Sequence, residues 1–282
     1  MSRLQVLFAA ICFGTTGTAQ ALGPDGLAPA GVGAARILVG GAILVLLGGL
    51  AVRRLPRAPL ALAAAAVATY QVSFFAAVAD TGVAVGTIVA IGSGPAIAGA
   101  IEWSVDGRVP TRAWAAATAL ALTGVTVLTL GNGDATLSLP GVGLALIAGA
   151  SYATYTLAAK RMLTQGHRPE TVMAGAFGGG AALLLPVLIL NHAILTTPGG
   201  IALALFLGIV PTAIAYVAFA RGLQHLPAAE TATITLAEPL TATLLGVIVL
   251  GEHFNALGAA LILLGLVVLA APEIRRPVTV PA

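Results

Sequence analysis

Ten runs of about 20 consecutive apolar residues, divided by short turn-forming stretches, restrict how this 282-residue chain can fold more than any other feature. A helix of that length crosses the roughly 30 Å hydrocarbon core of a bilayer. Inside lipid, a helix also satisfies every backbone N–H and C=O within its own segment. The runs fall at about 3–22, 30–51, 59–79, 83–103, 112–130, 141–160, 171–190, 200–220, 228–250 and 254–272. Their separators carry breaker residues, among them GPDG at 23–26, ADTG at 79–82, GNGD at 131–134 and TTPGG at 196–200. Only 8% of the chain is charged and 59% is hydrophobic, against roughly 25% charged in a soluble domain. The expected fold is therefore an all-α membrane protein of ten transmembrane helices. The opening MSRLQVLFAAICF is read as the first span, since nothing soluble follows it. The one cysteine, Cys12, excludes an internal disulfide.

The basic residues orient this bundle. With the N-terminus in the cytoplasm and the loops taken alternately, Arg3, Arg53, Arg54, Arg57, Arg108 and Arg112 fall inside. So do Lys160, Arg161, Arg168, Arg221, Arg275 and Arg276, which makes twelve of the 13 Lys and Arg. The other face carries Asp25, Asp80 and Asp134 and no base in its loops. Such a one-sided distribution expects both termini in the cytoplasm, since an odd span count would scramble it.

The chain also resembles itself. FAAVADTGVAVGTIVAIGSGP at 75–95 lies over FARGLQHLPAAETATITLAEP at 219–239, with Phe on Phe, Pro on Pro and Thr87 on Thr231. GVTVL at 124–128 likewise matches GLVVL at 265–269. The expected organisation is a first five-helix repeat at 1–131, a periplasmic linker at 132–140, a second five-helix repeat at 141–272 and a cytoplasmic tail at 273–282. An odd number of spans per half makes the two repeats inverted. That arrangement places a substrate site near the membrane midplane, where the halves meet.

The stretch PAAETATITLAEPLTATLLGVIVLGE at 227–252 carries the one acid deep in a span, Glu238, next to Pro239. Thr231, Thr235 and Glu238 share a helix face by i, i+4, i+7 spacing. Glu238 fits two roles: binding a proton or a substrate amine, or stabilising a helix end by hydrogen bonding. Arg36 is the only base inside a span. It suits a structural role, snorkelling to the outer interface or pairing with Asp80 or Asp25, and alternatively a substrate carboxylate. Pro95 and Pro239 occupy matching places and are hinge candidates, although membrane helices often tolerate proline. Tyr70, Gln71, Ser73 and Phe74 in the third span, Ser151, Thr154 and Tyr155 in the sixth, and Tyr216 in the eighth are cavity candidates, together with Thr235 and Glu238. Each one taken singly also suits plain interhelical hydrogen bonding. Gly92, Ala96 and Ala100 form a packing stripe.

LAEPLTATLLGVIVLGE at 236–252 resembles the ninth span of the drug/metabolite transporter superfamily, in its EamA branch. AARILVGGAILVLL at 34–47 is similar to that family's second span, and GASYATYTLAAKRML at 149–163 to the opening span of its second repeat. The resemblance implies ten spans, inverted repeats, cytoplasmic termini and location in the bacterial inner membrane. Within the branch the chain looks most like the YddG-type amino-acid exporters. The sequence departs from its own symmetry at Gly94-Pro95, which stands opposite Glu238-Pro239.

The resulting expectation is a secondary transporter that exports small amphipathic metabolites, amino acids first, aromatic or neutral, by alternating access around a central cavity. Proton coupling is left open by Glu238, and a monomer or weak oligomer is expected. The alternatives are a multidrug or organic-cation exporter and a non-transporting membrane scaffold. An enzyme is not expected: Ser93 lacks the glycine two places before it that an intramembrane serine protease needs, and His167, His192, His225 and His253 lie at loops or span ends. There is no HExxH and no phosphate-binding loop, so no metal and no cofactor is expected, and the bases are too scattered to suggest a nucleic-acid partner.

Overall fold

A computed structural model describes residues 1–107, 109–130, 138–251 and 255–270. Arg108, GNGD at 131–134, Glu252, His253, Arg275, Arg276 and the tail at 273–282 lie outside the described residues. Those described are helical throughout, with no strand. The helices are α1 (Ser2–Ala21), α2 (Pro29–Gly48), α3 (Arg57–Asp106), α4 (Arg112–Leu130), α5 (Leu139–Thr164) and α6 (Pro169–Leu190). They continue as α7 (Pro198–Gly208), α8 (Ala215–Leu223), α9 (Ala228–Ile234), α10 (Ala237–Leu245) and α11 (Ala256–Ala270). Two π-helical stretches, Ile209–Ile214 and Gly246–Leu250, extend α7 into α8 and prolong α10.

Among the described residues, eight helical stretches are long and apolar enough to cross a membrane. They match the first four and the sixth to ninth expected spans. The third and fourth, Arg57–Gly82 and Val85–Val105, need no loop between them. Gly82 alone leaves helical geometry there, at φ 79° and ψ 163°, a conformation open essentially to glycine only. The helices α4 and α11 fall outside the set of eight, and they pack against each other. Large apolar side chains such as Leu46, Leu183, Leu190, Ile248 and Val267 point outward from the bundle. In lipid they lose nothing, so burying them does not drive assembly.

Close backbone approach replaces that driving force. A Cβ on Gly124 would sit 2.7 Å from the Gly258 carbonyl oxygen, and one on Gly265 would sit 2.7 Å from that of Ala117. The α4–α11 pair comes this close because Gly124 and Gly265 bring no side chain to the crossing. The pair α2–α6 is built in the same way, with Gly41 against the Phe177 carbonyl. α5 lies along α3, and α1 lies along α8 and α10.

One end of the bundle is held by charge. α8 ends and α9 begins within a few residues of each other, which exposes free carbonyls and free N–H groups together. Lys160 donates to the Leu223 and Gln224 carbonyls at 2.8 and 3.0 Å. The buried Glu102 carboxylate accepts from the Ala228 and Ala229 N–H at 2.7 and 3.1 Å. Arg3 pairs with Glu230, and Arg221 with Glu170, both at 2.7 Å. Asp80 lies at the opposite end, where Ser138 donates to it.

Gly124→Ala forces a contact on backbone, so its thermal unfolding temperature in detergent drops; overpacking typically costs about 1–3 kcal/mol. Gly17→Ala, with nothing within 4 Å of its Cβ, is neutral or gains up to about 1 kcal/mol of helix propensity. Glu102→Ala strands two buried N–H groups and destabilises by about 1–3 kcal/mol. Glu102→Gln keeps one acceptor and loses less.

Candidate functional site

The chain bends where Pro239 follows Glu238. Proline has no N–H, and its ring displaces the carbonyl four residues back, that of Thr235. That carbonyl instead accepts the Glu238 N–H at 2.9 Å, and Thr235 and Leu236 form a turn between α9 and α10. The Thr235 hydroxyl bonds the Ala232 carbonyl at 2.7 Å and lies 3.1 Å from the Tyr152 hydroxyl. A break inside a span is thereby tied to α5, more than 80 residues earlier in the chain. Pro95 behaves differently, since α3 stays helical around it. Opposite the Glu238 position, a Cβ on Gly94 would lie 3.1 Å from the Tyr152 ring.

Tyr152 belongs to an aromatic cluster that joins α3, α5, α6 and α8. Its ring lies 6.4 Å from Tyr70 and 5.6 Å from Tyr155. Tyr155 lies 6.0 Å from both Phe177 and Tyr216, and those two are 4.0 Å apart. These rings, with Val67, Ile37, Arg36 and Gln71, enclose a chamber of about 10 Å³. That is room for about one water. Arg36 on α2 donates through Nη2 to Gln71 Oε1 at 3.2 Å. Arg36 Nε and Gln71 Nε2 are buried without a partner. Glu238 is half-buried on α10 and outside the chamber wall. It forms no ion pair among the described residues, yet lies within electrostatic range of Arg36, Tyr70, Tyr152 and Tyr216.

Of the residues singled out in the sequence, Tyr70, Gln71, Tyr155 and Tyr216 line this chamber. Phe74 stacks on Tyr70 at 5.7 Å, behind it. Thr235 reaches it through Tyr152. Ser73 turns away, donating to the Thr69 carbonyl of its own helix at 2.7 Å. Ser151 and Thr154 are not in its wall. Arg36 corrects the snorkelling expectation: it points into the bundle and pairs with neither Asp80 nor Asp25. Tyr152 and Phe177 went unmarked in the sequence. Tyr152 sits between two candidates of its own helix, a usable signal, whereas Phe177 looks like any apolar residue of its span. A separate hollow of about 700 Å³, open at the bundle's flank between α1, α7 and α10, is lined by groups such as Thr18, Leu22, Leu203 and Phe206 and by no charge.

An all-helical bundle with apolar flanks and a buried polar chamber is the architecture of a membrane transporter, and the comparisons place it more closely. Residues 139–271 match the EamA-like transporter family. The chain is 43% identical over 276 residues to the uncharacterized transporter YwfM of Bacillus subtilis, covering 95% of this chain and 93% of that one. It is also 30% identical over 131 residues to an uncharacterized transporter of Archaeoglobus fulgidus, covering 45% of this chain and 47% of that one. A solved crystal structure shares the fold with a TM-score of 0.83 at 22% identity, covering 95% of both chains. The chain belongs to the EamA-like transporter family, and it is a multi-pass membrane transporter.

The tie between Tyr152 and Thr235 is testable by a double-mutant cycle. Tyr152→Phe and Thr235→Val each remove one end of the same bond. Their effects on thermal stability should fall short of additivity by about 1 kcal/mol, the typical net worth of one hydrogen bond.

Proposed function

We propose that this protein is a secondary transporter of the bacterial inner (plasma) membrane that exports small amphipathic metabolites, with aromatic and neutral amino acids as its substrates. The observation that carries the reading is the chamber: polar groups and aromatic rings from α2, α3, α5, α6 and α8 converge on one point deep in the bundle. An amino acid with an apolar side chain needs that mixture, polar groups to orient its backbone and ring surface for its side chain. The lone acid Glu238 would equally hold an organic cation, so substrate competition separates the two transporter readings.

The protein has ten spans in this reading, α4 and α11 included, and two inverted repeats at 1–131 and 141–272. Helix pairing supports the symmetry. The second span of each half meets the other across the centre, α2 on α6, and the fifth spans meet likewise, α4 on α11. α5 lies along α3 as α1 lies along the segment from α7 to α10. Transport proceeds by alternating access, the two halves rocking about the chamber. The break at 235–239 is the preferred hinge, and Pro95, in unbroken helix, is the lesser one. Lys160, Arg3, Arg168 and Arg221 cluster at one end of the bundle, which supports a cytoplasmic position for that end and for both termini.

Counterflow tests the reading. Proteoliposomes loaded with unlabelled phenylalanine should take up labelled phenylalanine, and tetraphenylphosphonium should not compete. Glu238→Gln should slow uptake at least tenfold in protein that still folds, and a wild-type response to a pH gradient that this variant lacks assigns proton coupling to Glu238. Counterflow blocked by the lipophilic cation and indifferent to amino acids would make the protein a cation exporter instead.

A further inference from the structure

Arg36 is a permanent cation with no acid in contact among the described residues; Glu238 lies within electrostatic range of it but forms no ion pair with it. It lies seven residues into α2, about 10 Å along the helix axis at 1.5 Å per residue. Its neighbours Ala35 and Ile37 are fully buried, and Arg36 itself is partly buried, with its Nε out of reach of solvent. Guanidinium does not give up its proton in proteins, so burial cannot neutralise it. No ion pair involving Arg36 occurs among the described residues. Its sole hydrogen bond runs to the neutral Gln71 carbonyl, and its Nε is buried with no acceptor. Around it stand Tyr70, Tyr152, Tyr155, Phe177 and Tyr216. Rings can shade a cation, but they leave its N–H groups unmatched.

Gln71 adds a second, independent sign that something is missing. Only 3% of this residue is exposed, and its Nε2 also has no partner. Its place is made by Gly33 of α2, where a Cβ would fall 2.7 Å from that nitrogen. Gln71 Oε1 holds Arg36 Nη2 and so sets the plane of the guanidinium, leaving the Nε side free. A buried polar pair that is only half satisfied is costly, and it persists where a ligand completes it.

We infer that Arg36, oriented by Gln71, is a carboxylate-binding site, and that the molecule this protein carries is a monocarboxylate with an apolar or aromatic body. A guanidinium fork matches a planar carboxylate with two parallel hydrogen bonds. Phosphate also pairs with arginine, but it brings more charge than a wall of rings around one cation can balance. The closed chamber holds about one water, so the carboxylate enters when the surrounding helices part. The inference rests on reading the chamber as the transport site. It deepens that reading by making the carboxylate the obligatory group, with Arg36 as its ligand and Gln71 as the positioning residue.

The test is binding to the purified full-length protein, read by thermal stabilisation and by calorimetry. The probes are phenylalanine, phenylacetate, phenylalaninamide, phenethylamine and inorganic phosphate. Phenylalanine and phenylacetate should stabilise the wild type, while the amide, the amine and phosphate should bind at least tenfold more weakly. Arg36→Gln should lose carboxylate binding. Arg36→Lys, which keeps the charge without the fork, should weaken it less, and Gln71→Leu should weaken it about tenfold. If Arg36→Gln does not fold, the probe series on the wild type and on Gln71→Leu decides alone. Amide binding as tight as phenylalanine, phosphate or amine preferred over carboxylate, or unaltered carboxylate affinity in folded Arg36→Gln would overturn the inference. Amino-acid counterflow that survives Arg36→Gln rejects the site and keeps the transporter. Carboxylate binding that needs Arg36, in a protein without any counterflow, keeps the site and rejects the amino-acid exporter.

Discussion

In hydrocarbon no water stands ready to repair a broken helix, and the architecture of this protein follows from that constraint. Two interruptions among the described helices are matched by groups from elsewhere in the chain. Where α8 ends and α9 begins, Lys160 takes the carbonyls and Glu102 takes the N–H groups. Where Pro239 breaks the ninth span, the displaced Thr235 carbonyl takes the Glu238 N–H, and the Thr235 side chain is tied to Tyr152. Where the third and fourth expected spans divide, glycine alone absorbs the change, at Gly82. The first two breaks are also joints between helices distant in sequence.

The same constraint explains where function concentrates. Apolar contact does not favour helix association in lipid, so the bundle is held by close glycine crossings and a few polar ties. Polar groups that do neither stand out. Arg36 and Glu238 both act electrostatically on Tyr216 and on each other, and no ion pair joins them among the described residues. A structural pair would have closed to contact, because two buried charges repay their desolvation only at good geometry.

Much of this was legible from residue order. The helical class and most span limits come from apolar runs and breaker residues, because run length against bilayer thickness is a local property. Tyr70, Gln71, Tyr155 and Tyr216 were recognisable as polar or amphipathic groups deep in spans. Ser73 was equally conspicuous yet bonds its own helix, since a serine can satisfy itself on the preceding turn and a tyrosine cannot. Arg36 was visible as the one base within a span, but its direction was not, because a long side chain can leave by either end of its own reach.

The sequence by itself determined that the chain is a bundle of membrane helices and that an acid-proline pair interrupts one span. These depend on composition and on contacts within a few residues. Only the tertiary structure decided that Phe177 and Tyr152 join the chamber, that Glu102 and Lys160 cap helices more than 60 positions away, and that Arg36 meets Gln71 and finds no acid. Those outcomes depend on which helices cross and how closely, and a crossing is set by the pairing of small residues far apart in the chain.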